Sequence, residues 1–87
     1  MPEIVIYTTP TCPYCTRAKA LLRERNLAFT EISVTGDATL RREMTERTGR
    51  TSVPQIFFGD AHIGGCDDLH ELHDSGRLDL ILAEQSR

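Results

Sequence analysis

Cys12 and Cys15 stand three positions apart in the run Cys12-Pro13-Tyr14-Cys15, directly after the apolar stretch Ile4-Val5-Ile6-Tyr7. The segment from Thr16 to Arg25 reads as a helix, which puts Cys12 at its N-terminus. Backbone N–H groups lack partners there, and the helix dipole favours an anion. A thiolate is such an anion and is the reactive form of cysteine. Helix-terminal Cys-X-X-Cys thiols can have pKa values lowered to about 3.5–7.5. Cys12, the N-terminal and more exposed member, is the candidate nucleophile for thiol–disulfide exchange. Cys15 lies one helical turn further in and is the candidate resolving thiol. Two sulfurs at this spacing can close a small ring, so the pair has the layout of a reversible dithiol/disulfide switch.

A second group that could do chemistry is Cys66-Asp67-Asp68, which follows Gly64-Gly65 and opens another helix. Its backbone N–H groups suit an anion, while both carboxylates complement the dipole. The Cys66 side chain is expected to be a packed, non-catalytic thiol. Ser52-Val53-Pro54 leads into a strand. Val53 offers backbone N–H and C=O to an extended peptide, as an added strand would use them, and Pro54 donates nothing. His70 and His73 are spaced i, i+3 on a helix. With His62 they complete no zinc motif, so no metal is expected.

The elements that must hold these groups follow from periodicity. Ile4 to Tyr7 is a short buried strand. Ala18, Leu21, Leu22 and Cys15 share one face of the first helix. Ala28 to Val34 is the second strand, with Thr30, Ile32 and Val34 on one side. Asp37 caps a second helix whose inner face carries Leu40 and Met44, and Gly49 closes it. Gln55 to Phe58, the turn Gly59-Asp60 and Ala61 to Ile63 read as a hairpin, and Gly64-Gly65 as a flexible break. Leu69 and Leu72 face inward on the third helix, which Gly76 ends. Leu78, Ile81 and Leu82 mark a short fourth one. The order β-α-β-α-β-β-α-α makes the first two strands parallel and the last two an antiparallel hairpin.

With 87 residues, ordinary apolar content and many charges, the chain reads as one soluble α/β domain over residues 1–87 with a small core. No apolar stretch is long enough for a signal or a membrane span, so a cytoplasmic location is expected. Three cysteines are too few, and oddly numbered, for a disulfide scaffold; a close pair plus one points to chemistry. A net charge of −3 argues against nucleic acid as a main partner.

Cys-Pro-Tyr-Cys after strand one, Ser52-Val53-Pro54 before strand three and Gly64-Gly65-Cys66-Asp67-Asp68 before helix three together resemble the glutaredoxins, most of all the small bacterial dithiol type. The resemblance spans nearly the whole chain. It implies a thioredoxin-like fold, a four-stranded mixed sheet flanked by helices, with Pro54 cis. It implies glutathione as reductant and co-substrate, and disulfide-containing or glutathionylated proteins as partners of a monomer. The glutathione-binding set it implies is Tyr14 beside the tripeptide, Val53 and Pro54 along it, and Cys66, Asp67 and Asp68 at the γ-glutamyl end.

Two departures stand out. Many members carry a lysine just before the active-site loop, where this chain has Thr9. Arg41 on the second helix is the candidate to meet the glycine carboxylate instead, with Arg42 as an alternative. Two rival functions keep the same cysteines: a redoxin fed by thioredoxin reductase, and a homodimer holding an iron–sulfur cluster through Cys12 and glutathione. The cluster role is typical of relatives with Cys-Gly-Phe-Ser, and Pro13 with Cys15 speaks against it.

Overall fold

The computed structural model describes residues 2–86. The elements run β1 (Ile4–Thr8), α1 (Pro13–Glu24), β2 (Thr30–Ser33), α2 (Ala38–Thr48), β3 (Gln55–Phe58), β4 (Ala61–Gly64), α3 (Cys66–Asp74) and α4 (Leu78–Gln85). The strands form one four-stranded sheet in the order β2-β1-β3-β4. β1 pairs parallel with β2, Val5 facing Thr30 and Thr8 facing Ser33. β3 runs antiparallel to β1, with Ile4 opposite Phe58 and Tyr7 opposite Gln55. The expected order, the parallel pair and the hairpin are all present.

That register brings two distant segments together. β1 ends just before Cys12, and β3 begins just after Pro54. Because the two strands are antiparallel neighbours, the end of one lies beside the start of the other.

Strand alternation divides the core. Ile4, Ile6, Ile56 and Phe58 join Ala18, Leu21, Leu22, Leu69, Leu78 and Leu82 under α1, α3 and α4. Tyr7 and Phe57 point the other way and meet Val34 and Met44, flanked by Leu40 of α2. Leu72 and Ile81 are only partly buried against the first cluster.

Three local expectations need correction. α1 runs Pro13–Glu24 rather than from Thr16 to Arg25, while Cys12 stands at its N-terminus as expected, as the N-cap; proline suits the first position because its missing N–H would have no helical partner. β2 is shorter than 28–34, spanning Thr30–Ser33, although the Val34 N–H still donates to the Thr8 carbonyl at 3.0 Å. In this register Phe29 and Ala28 would face residues at or before the start of β1, so the ladder has little left to pair with. Gly64-Gly65 is no loose break: Gly64 closes β4 opposite Ile56, and Gly65 caps α3. Gly64 has φ of +115°, and a Cβ there would collide with the Asp68 carboxylate, so both backbone and space demand glycine.

Candidate active site

The site starts with a cap. Cys12 has extended backbone, with φ −90° and ψ 112°, and its Sγ accepts the N–H of Cys15 at 3.3 Å. Its carbonyl accepts the N–H of Thr16 at 3.2 Å, opening the helical ladder. The sulfur thus takes the place a serine or aspartate oxygen usually fills. A charged acceptor strengthens such a bond and is favoured by the dipole. Cys12 Sγ also lies 3.7 Å from the carbonyl of Val53, to which its S–H donates.

Cys15 is 1 % exposed, beneath Cys12. Burial first, and then the hydrogen bond with Cys12, push its thiol up to about 11; a backbone hydrogen bond from Thr9 and the charge of Lys19 act the other way. The two sulfurs are therefore unlike: one caps a helix at partial exposure, the other sits in the core as a thiol.

The Val53–Pro54 bond is cis, as the family resemblance implied. Gln55, 0 % exposed, donates from Nε2 to the Ser52 carbonyl at 3.0 Å and so ties the start of β3 to the loop before it. Across from this loop, α3 begins. Asp68 accepts the N–H of Gly65 at 2.9 Å and that of Arg50 Nη1 at 3.1 Å. The Gly65 N–H, and then Arg50, hold its carboxyl below the usual range. Burial pushes the Cys66 thiol up, in keeping with a packed sulfur, while Asp67 stays exposed.

Between loop and helix end lies an open groove of about 260 Å³, lined by Tyr14, Arg50, Ser52, Val53, Pro54, Gly65, Cys66, Asp67 and Asp68. Tyr14 is 54 % exposed, one of two large apolar-bodied side chains so displayed among the described residues. Every expected binding residue except Arg41 lines this groove. Arg41 instead donates to the Thr51 carbonyl at 3.2 Å and borders a separate hollow with Val34 to Ala38. The groove's cation is Arg50, which sequence reasoning missed. Its signal was an arginine directly after Gly49 and two residues before Ser52: Gly49 adopts the left-handed conformation at φ +72° as it closes α2.

Among the described residues no cluster of three or more His, Cys, Asp or Glu is arranged to hold a metal ion. None of the helices among them is long and apolar enough to cross a membrane.

A sulfur at a helix cap, a second thiol beneath it and an open groove alongside form a candidate dithiol redox site on a mixed α/β sheet. Known proteins give the same reading. The Glutaredoxin family pattern matches residues 4–63. The chain is 54% identical over 82 residues to glutaredoxin 3 of Escherichia coli K12, covering 94% of this chain and 99% of that one. Among solved structures, the glutaredoxin of Brucella melitensis superposes with a TM-score of 0.85 at 50% identity, covering 100% of this chain and 94% of that one. A buckwheat glutaredoxin–glutathione complex gives 0.87 at 30% identity, covering 98% and 80%. This chain belongs to the glutaredoxin family, with its thioredoxin-like fold. Its activity is that of a glutathione-dependent thiol–disulfide oxidoreductase, and the cluster-binding and thioredoxin-reductase readings are not favoured.

Proposed function

We propose that residues 1–87 act as one glutaredoxin domain in which Cys12 is the nucleophile, Cys15 resolves, and glutathione occupies the groove between Val53-Pro54 and the start of α3. The observation that carries this is Cys12 Sγ serving as the N-cap acceptor of α1, 3.7 Å from the Val53 carbonyl. Glutathione on this fold is supported by the buckwheat neighbour, a glutaredoxin–glutathione complex.

The Cys12 thiolate attacks one sulfur of a protein disulfide. That bond breaks, and the departing sulfur leaves with its electron pair and takes up a proton. Cys15 loses its proton and attacks Cys12 Sγ, freeing the second substrate thiol and leaving a Cys12–Cys15 disulfide. Glutathione attacks Cys12 in that bond, and Cys15 regains its proton. A second glutathione attacks the bound glutathione sulfur, releases glutathione disulfide and restores Cys12. On a glutathionylated protein, Cys12 takes the glutathione sulfur directly and frees the protein thiol, with no part for Cys15.

The groove suits a tripeptide with charged ends. Val53 offers its backbone to an extended peptide, and Tyr14 covers one flank. Unoccupied N–H groups at the start of α3 suit a carboxylate, and Asp67 and Asp68 an ammonium. Arg50 reads as the cation for a second carboxylate. Arg41 serves it through Thr51, whose carbonyl it holds. A reducing cytoplasm and a monomeric state fit this cycle.

The test is turnover of a glutathione mixed disulfide and of a protein disulfide by wild type, Cys12→Ser and Cys15→Ser. Cys12→Ser is expected to lose both activities. Cys15→Ser is expected to keep the first and lose most of the second. Undiminished turnover by Cys12→Ser would overturn the assignment.

A further inference from the structure

The resolving step asks most of Cys15, which must become a nucleophile while buried at 1 % exposure. Once Cys12 is bonded to another sulfur, it carries no charge and no longer opposes ionisation of its neighbour. What remains in favour of a Cys15 thiolate is the backbone of Thr9 and the charge of Lys19. Arg17 and Asp67, toward α3, act on the Cys66 thiol instead.

Lys19 is the sole lysine of the sequence. It follows Cys15 by four residues on α1, so the two share one face of the helix a turn apart. Its Nζ donates to Glu31 Oε2 at 3.0 Å, and the same oxygen accepts from Thr8 Oγ1 at 2.6 Å. Thr8 is 1 % exposed at the end of β1, and Glu31 stands on the neighbouring β2, opposite Ile6. The Thr8 hydroxyl first, then Lys19, hold the Glu31 carboxyl low, so it stays anionic at neutral pH. The ammonium is thereby fixed beside the helix, with its side chain only 20% exposed, where screening is reduced.

We propose that Lys19, held by the Thr8–Glu31 pair, is a positioning residue for the resolving step, its ammonium stabilising the Cys15 thiolate as that sulfur attacks Cys12. The inference rests on the proposed role of Cys15. In the step, Cys15 Sγ gives its proton to solvent and bonds to Cys12 Sγ. The bond from Cys12 to the departing sulfur breaks, and that sulfur leaves with the electron pair and is protonated. The two cysteines are oxidised by the two electrons that reduce the mixed disulfide. Lys19 keeps its protons throughout.

The test loads Cys12 with glutathione and follows formation of the Cys12–Cys15 disulfide by acid-quenched mass spectrometry, from pH about 7 to about 11. Wild type, Lys19→Gln, Lys19→Arg and Glu31→Gln are compared. Lys19→Gln is expected to slow the step about threefold to tenfold at neutral pH and to move its pH midpoint up by about half a unit to one unit. Lys19→Arg restores most of both, and Glu31→Gln, which frees the ammonium, falls between. A midpoint that stays put in Lys19→Gln overturns the proposal even if the rate falls, because general loosening of α1 slows the step without moving its titration. Failure of wild type itself to form the Cys12–Cys15 bond would instead reject the resolving role, before any Lys19 variant is considered.

Discussion

Helices α1 and α3 both begin at the groove, and both carry a cysteine at their start, yet the two ends are capped differently. At α1 the cap is Cys12, its sulfur accepts the Cys15 N–H, and the first turn holds no acid. At α3 the cap is Gly65, Asp67 and Asp68 fill the first turn, and the Asp68 carboxylate already takes the Gly65 N–H. The Cys66 thiol beside them is 3 % exposed and is pushed up by burial. On the proposed assignment, a helix N-terminus is not sufficient to make a thiol reactive. What matters is which atom occupies the cap, and whether a carboxylate is there first.

The largest effect should come from exchanging the fates of these two sulfurs. Cys12→Ser is expected to lower turnover of a glutathione mixed disulfide by about a thousandfold or more, since a serine hydroxyl does not ionise near neutral pH and cannot form the disulfide. Cys66→Ala should leave kcat within about twofold and cost about 1–2 kcal/mol in thermal or denaturant unfolding, from the cavity it opens beside Leu69. A Cys66→Ala loss as deep as that of Cys12→Ser would abolish the distinction between the two ends.

Asp68→Asn is next, because it neutralises the second end while keeping its shape. The Asn oxygen can still accept from Gly65, but the charge shared with Arg50 is gone. KM for glutathione is expected to rise about tenfold with little change in kcat. The pH dependence has a definite sign. The carboxyl is held low in the folded state by the Gly65 N–H and Arg50, so its stabilising contribution is present above the ordinary aspartate value of about 3.9 and is lost as pH falls through the lowered one. The gap in stability between wild type and Asp68→Asn should be constant at neutral pH and close on acidification. It should be modest, because Asp68 and Arg50 are 42% and 47% exposed and the pair is screened. A gap that widens in acid would contradict the assignment.

Much of the α1 end could be read from the chain, and much less of the groove. Cys-X-X-Cys after an apolar strand is a local pattern, so the cap, the inner face of Ala18, Leu21 and Leu22, and the burial of Cys15 all follow from helical spacing. The directions of the first two and last two strands followed because a helical crossover forces parallel strands and a two-residue turn forces antiparallel ones. Residues 52–54 and 66–68 could be placed in one site only by likeness to a family, since it is the β1–β3 register that joins them. Arg50 lines the groove and Arg41 does not, for a related reason: Gly49 turns the chain out of α2, and no spacing rule states where the next side chain lands. Gly64 looked flexible because a glycine pair is ambiguous in sequence; Asp68, four residues on, occupies the space a Cβ would need. The Thr8–Glu31–Lys19 cluster joins three elements, its first contact spanning 23 residues, and no local signal announces it.

The smallest effect tests the first turn of α1 itself. Pro13 stands at the first helical position and contributes no N–H. The first turn therefore presents one fewer free N–H near the sulfur of Cys12 than it would with another residue there. Pro13→Ala restores that donor and leaves the helix free to form, because alanine is the best helix former. Alkylation of Cys12 by iodoacetamide at pH about 6 should then rise about threefold to tenfold, as more of the thiol is held as thiolate. A more stable thiolate is also a better leaving group and a weaker nucleophile, so the Cys12–Cys15 disulfide of the variant should be the more readily reduced by glutathione in a redox titration. The equivalent gain is closed to α3, where Cys66 is packed away from solvent and Asp68 already holds the cap N–H. Unchanged alkylation in Pro13→Ala would mean that the Cys15 N–H and the dipole saturate the sulfur's need for donors, and the contrast between the two helix ends would then rest on burial and on the acids of α3 alone.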